Sequence, residues 1–283
     1  MIPVIILCGG KGIRIREIAE DLPKALIEIG DMPILYHIMR HYIKHGFSGF
    51  VLTLGHKGFA IKQFFRDLEL RYKDATFYLG MHPYDVIERE KYQISLFPDF
   101  NYSFKVTCME TGENAETLSR FKQAIDFFKH LEDIPLLEKD FPRIMLTYGD
   151  GIANIDLNAL VAYHDSTKRI STITVVHPPG HFGRVLLNRQ EPEDLDQPEM
   201  VLDFTEKPIS NDWINGGFMV FETKRLQPYL EDVKDTDALE RVLLPKLAKD
   251  GELAAYRHTG YWQHLDTPKD YQQLQQDHKD GKF

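Results

Sequence analysis

Ile2-Pro3-Val4-Ile5-Ile6-Leu7-Cys8-Gly9-Gly10-Lys11-Gly12-Ile13-Arg14 opens the chain, and its reading decides the fold. Val4 to Leu7 is apolar at every position, as in a strand buried on both faces at the centre of a helix-covered parallel sheet. Three glycines follow at once. They free backbone N–H groups to close around anion oxygens, while Arg14 and, beyond an acidic loop, Lys24 bring positive charge. This is the outline of a triphosphate site.

Working outward, Pro33 begins a segment with Ile34, Leu35, Ile38, Met39 and Tyr42 at helical spacing, and Gly46 stops it. Gly49 to Leu54 reads as the next strand. A helix carrying Ile61, Phe64 and Phe65 follows the turn Gly55-His56-Lys57-Gly58, and this alternation predicts a doubly wound sheet. Tyr72 to about Phe104 is irregular and aromatic, and reads as a long excursion that packs locally, against another subunit of a homo-oligomer, or as a lid. Regularity resumes with a strand from Lys105 to Met109, a helix from about Leu118 to His130, and the strand Arg143 to Tyr148, which ends at Gly149-Asp150-Gly151. A helix near Leu157 to His164 and the β-branched strand Ser171 to Val176 come next. Further strands are expected at Arg184 to Leu187, Val201 to Phe204 and Gly217 to Phe221, and a helix around Ala238 to Lys249. Gln190 to Met200, acidic and proline-containing, reads as a solvated loop, and Gln272 to Phe283 as a fraying helix or tail.

At 283 residues with 43% hydrophobic side chains, the chain can build a substantial core. A formal charge of −9 argues against a general nucleic-acid or anionic-membrane surface, so an anionic substrate must meet a local cluster of cations. The two cysteines, Cys8 and Cys108, indicate no disulfide framework and read as reduced core thiols. With no leader-like start and no long uncharged apolar run, the expectation is a cytoplasmic protein without a membrane partner.

The glycine loop lacks the order Gly-x-x-x-x-Gly-Lys-Ser/Thr, and it fails the dinucleotide fingerprint because the third glycine position falls on Ile15. Asp150, between two glycines past a strand end, belongs on the same side as the loop, since ligands of open α/β sheets collect at the carboxyl ends of the strands. A carboxylate there suits Mg²⁺ beside substrate phosphates. Glu206-Lys207-Pro208 and Asn215-Gly216-Gly217 offer hydrogen bonds for sugar hydroxyls, a charge for a phosphate and backbone that a ligand can touch. Asp266, in Tyr261-Trp262-Gln263-His264-Leu265-Asp266-Thr267, is a candidate second metal carboxylate. Each of these alone is an ordinary turn, and their joint order is what points to a site.

Assembled, these stretches resemble the sugar-1-phosphate nucleotidyltransferases, and most closely the glucose-1-phosphate cytidylyltransferases. The resemblance runs end to end: Leu7 to Arg14, Pro23 to Gly30, Pro33 to Met39, Thr147 to Gly151, Pro178-Pro179-Gly180-His181-Phe182-Gly183, Glu206-Lys207-Pro208, Asn215 to Phe218 and Gly260 to Thr267. It implies an α/β, Rossmann-like nucleotidyltransferase fold, with a mostly parallel central sheet flanked by helices and a smaller β-rich sugar-binding portion. The whole chain, 1–283, would be a single nucleotidyltransferase domain, with 1–170 binding nucleotide, 171–270 binding sugar phosphate and 271–283 a polar tail.

The implied reaction couples an NTP, CTP in this branch, to a sugar 1-phosphate such as glucose 1-phosphate and releases pyrophosphate, with Mg²⁺ as cofactor. By residue, the resemblance places Leu7, Gly9, Gly10, Gly12, Thr111, Arg120 and Gly149 around the nucleotide. Arg14 falls on the β- and γ-phosphates and Lys24 on the α-phosphate. Asp150 and Asp266 would hold the metal, while Lys207 grips the acceptor phosphate and Glu206, Asn215 and Gly216 meet the sugar. A phosphate nucleophile is already ionised, so no general base is expected. The sequence departs from the family pattern at Ile13 and Ile15 of the loop, at Leu22 and Ala25 around Pro23-Lys24, and at Thr117-Leu118-Ser119-Arg120, where the family has Thr-Gly-Gly-Arg. Three readings stay open: cytidylyl transfer to a sugar 1-phosphate, nucleotidyl transfer with another base or acceptor, and a non-catalytic nucleotide-sugar-binding relative.

Overall fold

The computed structural model describes residues 2–10, 12–15, 17–18, 20–71, 104–129, 141–178, 184–187, 200–205 and 212–283. In chain order its strands are β1 (Val4–Leu7), β2 (Glu28–Ile29), β3 (Met32–Pro33), β4 (Gly49–Leu54), β5 (Lys105–Glu110), β6 (Arg143–Tyr148), β7 (Gly151–Ala153), β8 (Ser171–Val176), β9 (Arg184–Leu187), β10 (Val201–Thr205), β11 (Ile214–Glu222), β12 (Leu253–Arg257) and β13 (Trp262–His264). The α-helices are α1 (Ile34–Lys44), α2 (Gly58–Arg71), α3 (Thr117–Lys129), α4 (Leu157–Thr167), α5 (Thr223–Leu226), α6 (Leu243–Lys249) and α7 (Pro268–Lys279).

Seven strands form one sheet in the order β12-β8-β11-β6-β1-β4-β5. Pairs β1–β4, β1–β6, β4–β5 and β8–β12 are parallel, and β11 runs antiparallel to both β6 and β8. The sheet is therefore mostly parallel, with three of its strands drawn from beyond residue 170. Successive residues of a strand point to opposite faces, and β1 shows why its run is uninterrupted. Val4 and Ile6 pack on one face with Ile34, Leu35, Ile38 and Tyr42 of α1. Ile5 and Leu7 pack on the other with Leu118, Phe121 and Ile125 of α3. Both faces are covered, so no position can be polar.

The parallel strands β1, β4, β5 and β6 end on one edge, and each leads directly into a candidate site residue or its support: Cys8-Gly9-Gly10, Gly55, Thr111 and Gly149-Asp150. A small antiparallel pair, β7–β13, sets His264 opposite Gly151, and Leu265 N–H donates to the Asp150 carbonyl at 2.9 Å. That pairing carries Asp266 to the end of β6.

Two expectations change. The helix expected from Ala238 begins at Leu243 instead. Pro245 has no N–H to donate to Arg241 and is tolerated only in a first turn, so the preceding bonds, Val242 to Ala238 and Leu243 to Leu239, form a separate turn. The expected polar tail from residue 271 lies mainly in α7, which is docked rather than frayed. Its N-terminus has a capping box of Thr267 and Asp270 with Pro268 in the first turn. Leu274 is fully buried, and Gln275 donates to the Glu28 carbonyl and accepts from the Gly30 N–H, both at 3.0 Å. The aromatic excursion at 72–103, residues 179–183 of the motif that begins at Pro178, the acidic loop up to residue 199 and the Glu206-Lys207-Pro208 motif lie outside the described residues. Among the described residues no helix is long and apolar enough to cross a membrane.

Candidate active site

Lys24 stands on a single 3₁₀ turn, Lys24–Leu26, entered through Pro23 at φ −67°, with Ala25 and Leu26 buried beneath it. This anchors the base of a long side chain and directs its tip across the sheet edge. The Lys24 Nζ donates to Asp150 Oδ2 at 2.6 Å and also to Asp266 Oδ1. Arg14 reaches the other oxygen of Asp266, with Nη2–Oδ2 at 3.2 Å. Residues 14, 24, 150 and 266 therefore converge on one point from four separate parts of the chain.

The electrostatics follow from this packing. Burial works against the Lys24 ammonium, but the Asp150 and Asp266 carboxylates outweigh it and hold its pKa above the ordinary lysine value. For Asp266, burial favours the neutral acid, yet Lys24, Arg14 and His264 together hold its pKa below the usual carboxylate range. Lys24 is only 15% exposed, whereas Arg14, paired with Asp266 at one end, is 76% exposed. A cavity of about 330 Å³ lies over the cluster, lined by Gly10, Gly12, Arg14, Ile15, Lys24, Asp150 and Asp266. Gly12 has φ +55°, the left-handed region that glycine enters without strain.

A second cavity, of about 560 Å³, adjoins it through Gly10 and Asp150, with Leu7, Gly9, Arg120, Tyr148 and the stretch Glu113 to Thr117 in its walls. Here the structure gives Arg120 an unexpected neighbourhood. The residue is 4% exposed, and its guanidinium donates to the carbonyls of Leu54 at 2.8 Å, Gly9 at 3.2 Å and Glu113 at 3.5 Å, and to the Thr111 hydroxyl. A Cβ on Gly9 would lie 2.1 Å from Arg120 Cζ, and one on Gly55 would lie 2.5 Å from Nη2. These glycines make room for a buried cation that ties the first loop to the ends of β4 and β5. Thr111, 4% exposed, is part of that brace and donates in turn to Leu54 O at 2.7 Å.

The two departures beside Arg120 do not narrow the cavity. Leu118 is fully buried in the core, and Ser119, 3% exposed, donates to Asp235 Oδ1 at 2.8 Å. Both side chains point away from the pocket, whose wall at this place is Thr117 and Arg120. Gly149 has no room for a side chain, since a Cβ would meet the Leu7 carbonyl at 3.0 Å and Cys8 Sγ at 3.1 Å.

Asn215 and Gly216 lie inside β11, where the register with β8 shifts between Asn215 and Met219. The bulge lets Asn215 Oδ1 accept from Gly217 N–H at 3.0 Å, while its Nδ2 donates to the Tyr148 hydroxyl at 3.4 Å. Gly216 O accepts from Trp262 Nε1 at 2.8 Å. Tyr148 donates in turn to Glu240, which also accepts from Thr117 Oγ1 at 2.9 Å. Sequence reading marks Tyr148 only as a neighbour of Asp150 in the Thr147 to Gly151 stretch, and Glu240 stands in no motif, so neither is singled out for this role. The order of β6 and β11 in the sheet brings Tyr148 beside Asn215, and Glu240 joins them through the Tyr148 hydroxyl. Glu206 and Lys207 lie outside the described residues.

Asp150 and Asp266 present hard oxygen donors to one cation, the lysine ammonium. That donor set fits Mg²⁺, which takes one or two carboxylates and completes its shell with water and phosphate oxygens. Among the described residues no cluster of three or more His, Cys, Asp or Glu forms an all-protein metal cage.

Cations and paired acids at the carboxyl ends of a mostly parallel sheet, beside a glycine turn, define a protein built to hold a polyanionic nucleotide. The nucleotidyl transferase family model matches residues 3–281. A probable glucose-1-phosphate cytidylyltransferase of Bacillus subtilis is 36% identical over 266 residues, covering 94% of this chain and 91% of its own. The glucose-1-phosphate cytidylyltransferase of Salmonella typhi is 34% identical over 269 residues, again covering 94% and 91%. Among solved structures, HddC from Yersinia pseudotuberculosis superposes with a TM-score of 0.63 at 21% identity, over 98% of this chain and 100% of its own. A putative glucose-1-phosphate thymidylyltransferase from Bacillus anthracis gives 0.62 at 16% identity, over 98% and 94%. The chain belongs to the nucleotidyl transferase family.

Proposed function

We propose that this nucleotidyltransferase transfers the cytidylyl group of CTP to glucose 1-phosphate, releasing pyrophosphate and forming a nucleotide sugar. The observation that carries the chemistry is the convergence of Arg14, Lys24, Asp150 and Asp266 beneath a cavity bounded by Gly10 and Gly12. The choice of base and acceptor is supported by likeness to the Bacillus and Salmonella cytidylyltransferases across nearly the whole chain.

A phosphate oxygen of the acceptor attacks the α-phosphorus of the triphosphate. A new P–O bond forms as the bond from the α-phosphorus to the bridging oxygen of pyrophosphate breaks. Two polyanions must be held in line against their repulsion, so positioning and charge neutralisation carry the catalysis. Lys24, fixed at its base and nearly buried, is the residue for the α-phosphate, and exposed Arg14 is placed to swing onto the β- and γ-phosphates. Asp150 and Asp266 would hold Mg²⁺, which supplies charge stabilisation on the phosphate oxygens. Leu7, Gly9, Gly10, Gly12 and Gly149 give the nucleotide a floor of backbone, with Arg120 in the wall of the adjoining cavity and Thr111 bracing that wall from behind. Asn215, Gly216 and, by family resemblance, Glu206 and Lys207 serve the sugar phosphate. In this reading the division at residue 170 separates nucleotide-binding from acceptor-binding residues along the chain, although strands from both parts share one sheet.

The test is pyrophosphate release with CTP, UTP, ATP, GTP and dTTP, each against a panel of sugar 1-phosphates. The expected outcome is release with CTP and glucose 1-phosphate well above every other pair. Release with another pair would change the base or acceptor, and silence with all pairs would make the protein a non-catalytic relative.

A further inference from the structure

We propose that Lys24 is the resident counter-cation of the Asp150–Asp266 pair, so that a divalent metal enters the site only together with a nucleotide that draws the lysine away. The proposal rests on the reading of those two acids as the metal ligands. The ammonium is 2.6 Å from Asp150 Oδ2 and hydrogen-bonded to Asp266 Oδ1, so it occupies the point where the two carboxylates converge. Arg14 takes the remaining oxygen of Asp266 at 3.2 Å. Two carboxylates facing a lysine and an arginine form a cluster with no net charge.

A divalent ion approaching this cluster alone meets an ammonium at its own binding point. Like charges a few ångströms apart in a half-buried setting repel strongly, and the ion must also shed water to bind. Without a ligand the ammonium would give up both carboxylate partners by leaving, and its 15% exposed side chain on the turn over buried Ala25 and Leu26 reaches little water in exchange. Polyphosphate changes both conditions. Seated in the cavity over the cluster, beside Gly10 and Gly12, it offers Lys24 new anionic oxygens and supplies the metal with the ligands that two carboxylates lack. Metal and nucleotide thus assist each other's binding, and each affinity rises by the same factor when the other is present.

The experiment counts bound Mn²⁺ by equilibrium dialysis and electron paramagnetic resonance on the full chain, without acceptor so that no turnover occurs. Without nucleotide, wild type is expected to bind Mn²⁺ weakly, and Lys24→Met to bind it at least tenfold more tightly. Asp150→Asn added to Lys24→Met is expected to abolish that gain. With CTP on both sides of the membrane, wild type is expected to hold one additional Mn²⁺ per chain. Lys24→Gln repeats the measurement should the methionine variant fail to fold. Tight Mn²⁺ binding by nucleotide-free wild type, equal to that of the Lys24 variants, would overturn the proposal, as would a folded Lys24 variant that gains none. The nucleotide-free arms are independent of which base or acceptor is used, so a failed pyrophosphate assay and a failed exchange are told apart.

Discussion

Replacing Arg120 tests whether the nucleotide loop is held from below. In Arg120→Ala the carbonyls of Gly9 and Leu54 lose donors at 3.2 and 2.8 Å, and the Thr111 hydroxyl loses one as well. A hydrogen bond from a charged donor contributes about 1.5–3 kcal/mol. Leu54 O keeps the Thr111 N–H at 3.0 Å and its hydroxyl at 2.7 Å, so its loss is partly offset. Removing a buried cation also returns some desolvation cost. The net expectation is a loss of about 3 kcal/mol, read from urea unfolding at constant slope. The sharper arm is a cycle with Gly9→Ala. In wild type the new Cβ would meet Arg120 Cζ at 2.1 Å, an overlap that forces the guanidinium or the loop to move. Overpacking of this kind costs about 1–3 kcal/mol. With Arg120 truncated that obstacle is gone, so Gly9→Ala should cost little in that background, a coupling between neighbours of the kind such cycles measure. Equal costs of Gly9→Ala in both backgrounds, or a change below about 0.5 kcal/mol for Arg120→Ala, would refute the brace.

Three further outcomes are expected. Lys24→Ala should lower kcat by orders of magnitude while the protein stays folded by circular dichroism, because a charge acting on the transferring phosphate contributes several kcal/mol; near-normal turnover would remove Lys24 from the mechanism. Burial pushes the pKa of His37 and of His41 down to about 4, so both stay neutral in the folded protein where the unfolded chain takes up protons near 6.5. Their contribution is complete above pH 6.5 and drains as pH falls toward 4, at up to about 2.7 kcal/mol per pH unit for the two together; a urea midpoint that stays flat between pH 7 and 5 would contradict this. Leu274→Ala, at a fully buried position of α7, should cost about 2–5 kcal/mol by thermal or urea unfolding if that helix is part of the core, and nearly nothing if it frays.

The parallel half of the fold was legible because its strands are buried on both faces: Val4–Leu7, Gly49–Leu54 and Arg143–Tyr148 match their apolar runs. The docking of α7 was not. Apart from buried Leu274, many of its ties to the rest of the chain are polar, Gln275 to the backbone of Glu28 and Gly30 and Asp277 to the Tyr261 hydroxyl at 2.8 Å, and hydropathy is blind to such contacts. Asp150 announced itself by its place between glycines at a strand end. Its meeting with Asp266 depends on β7 and β13, three residues each, too short for any periodicity to register. Arg120 is the instructive case. A cation near a cavity reads as an anion or base contact, and only the fold shows Gly9 and Gly55 flanking its guanidinium. The signal was present in principle, as a glycine just past the end of each of two adjacent strands, but it needed the strand order to be read.

The same logic resolves how a chain with a formal charge of −9 serves two anionic substrates. The cations at the cluster do not stand as an exposed positive patch, since Lys24 and Arg14 are already paired with Asp150 and Asp266. A permanently exposed cluster of this kind would attract any polyanion and leave the acids free for any divalent ion. Pairing them within the protein makes each side a competitor for the other's ligand. Phosphate must outbid a carboxylate for Lys24, and metal must outbid an ammonium for Asp150. Only a ligand that satisfies both exchanges at once gains fully, and a triphosphate with its metal does so. Selectivity for the complex over either component then arises from four side chains, through a difference of affinities rather than a dedicated contact.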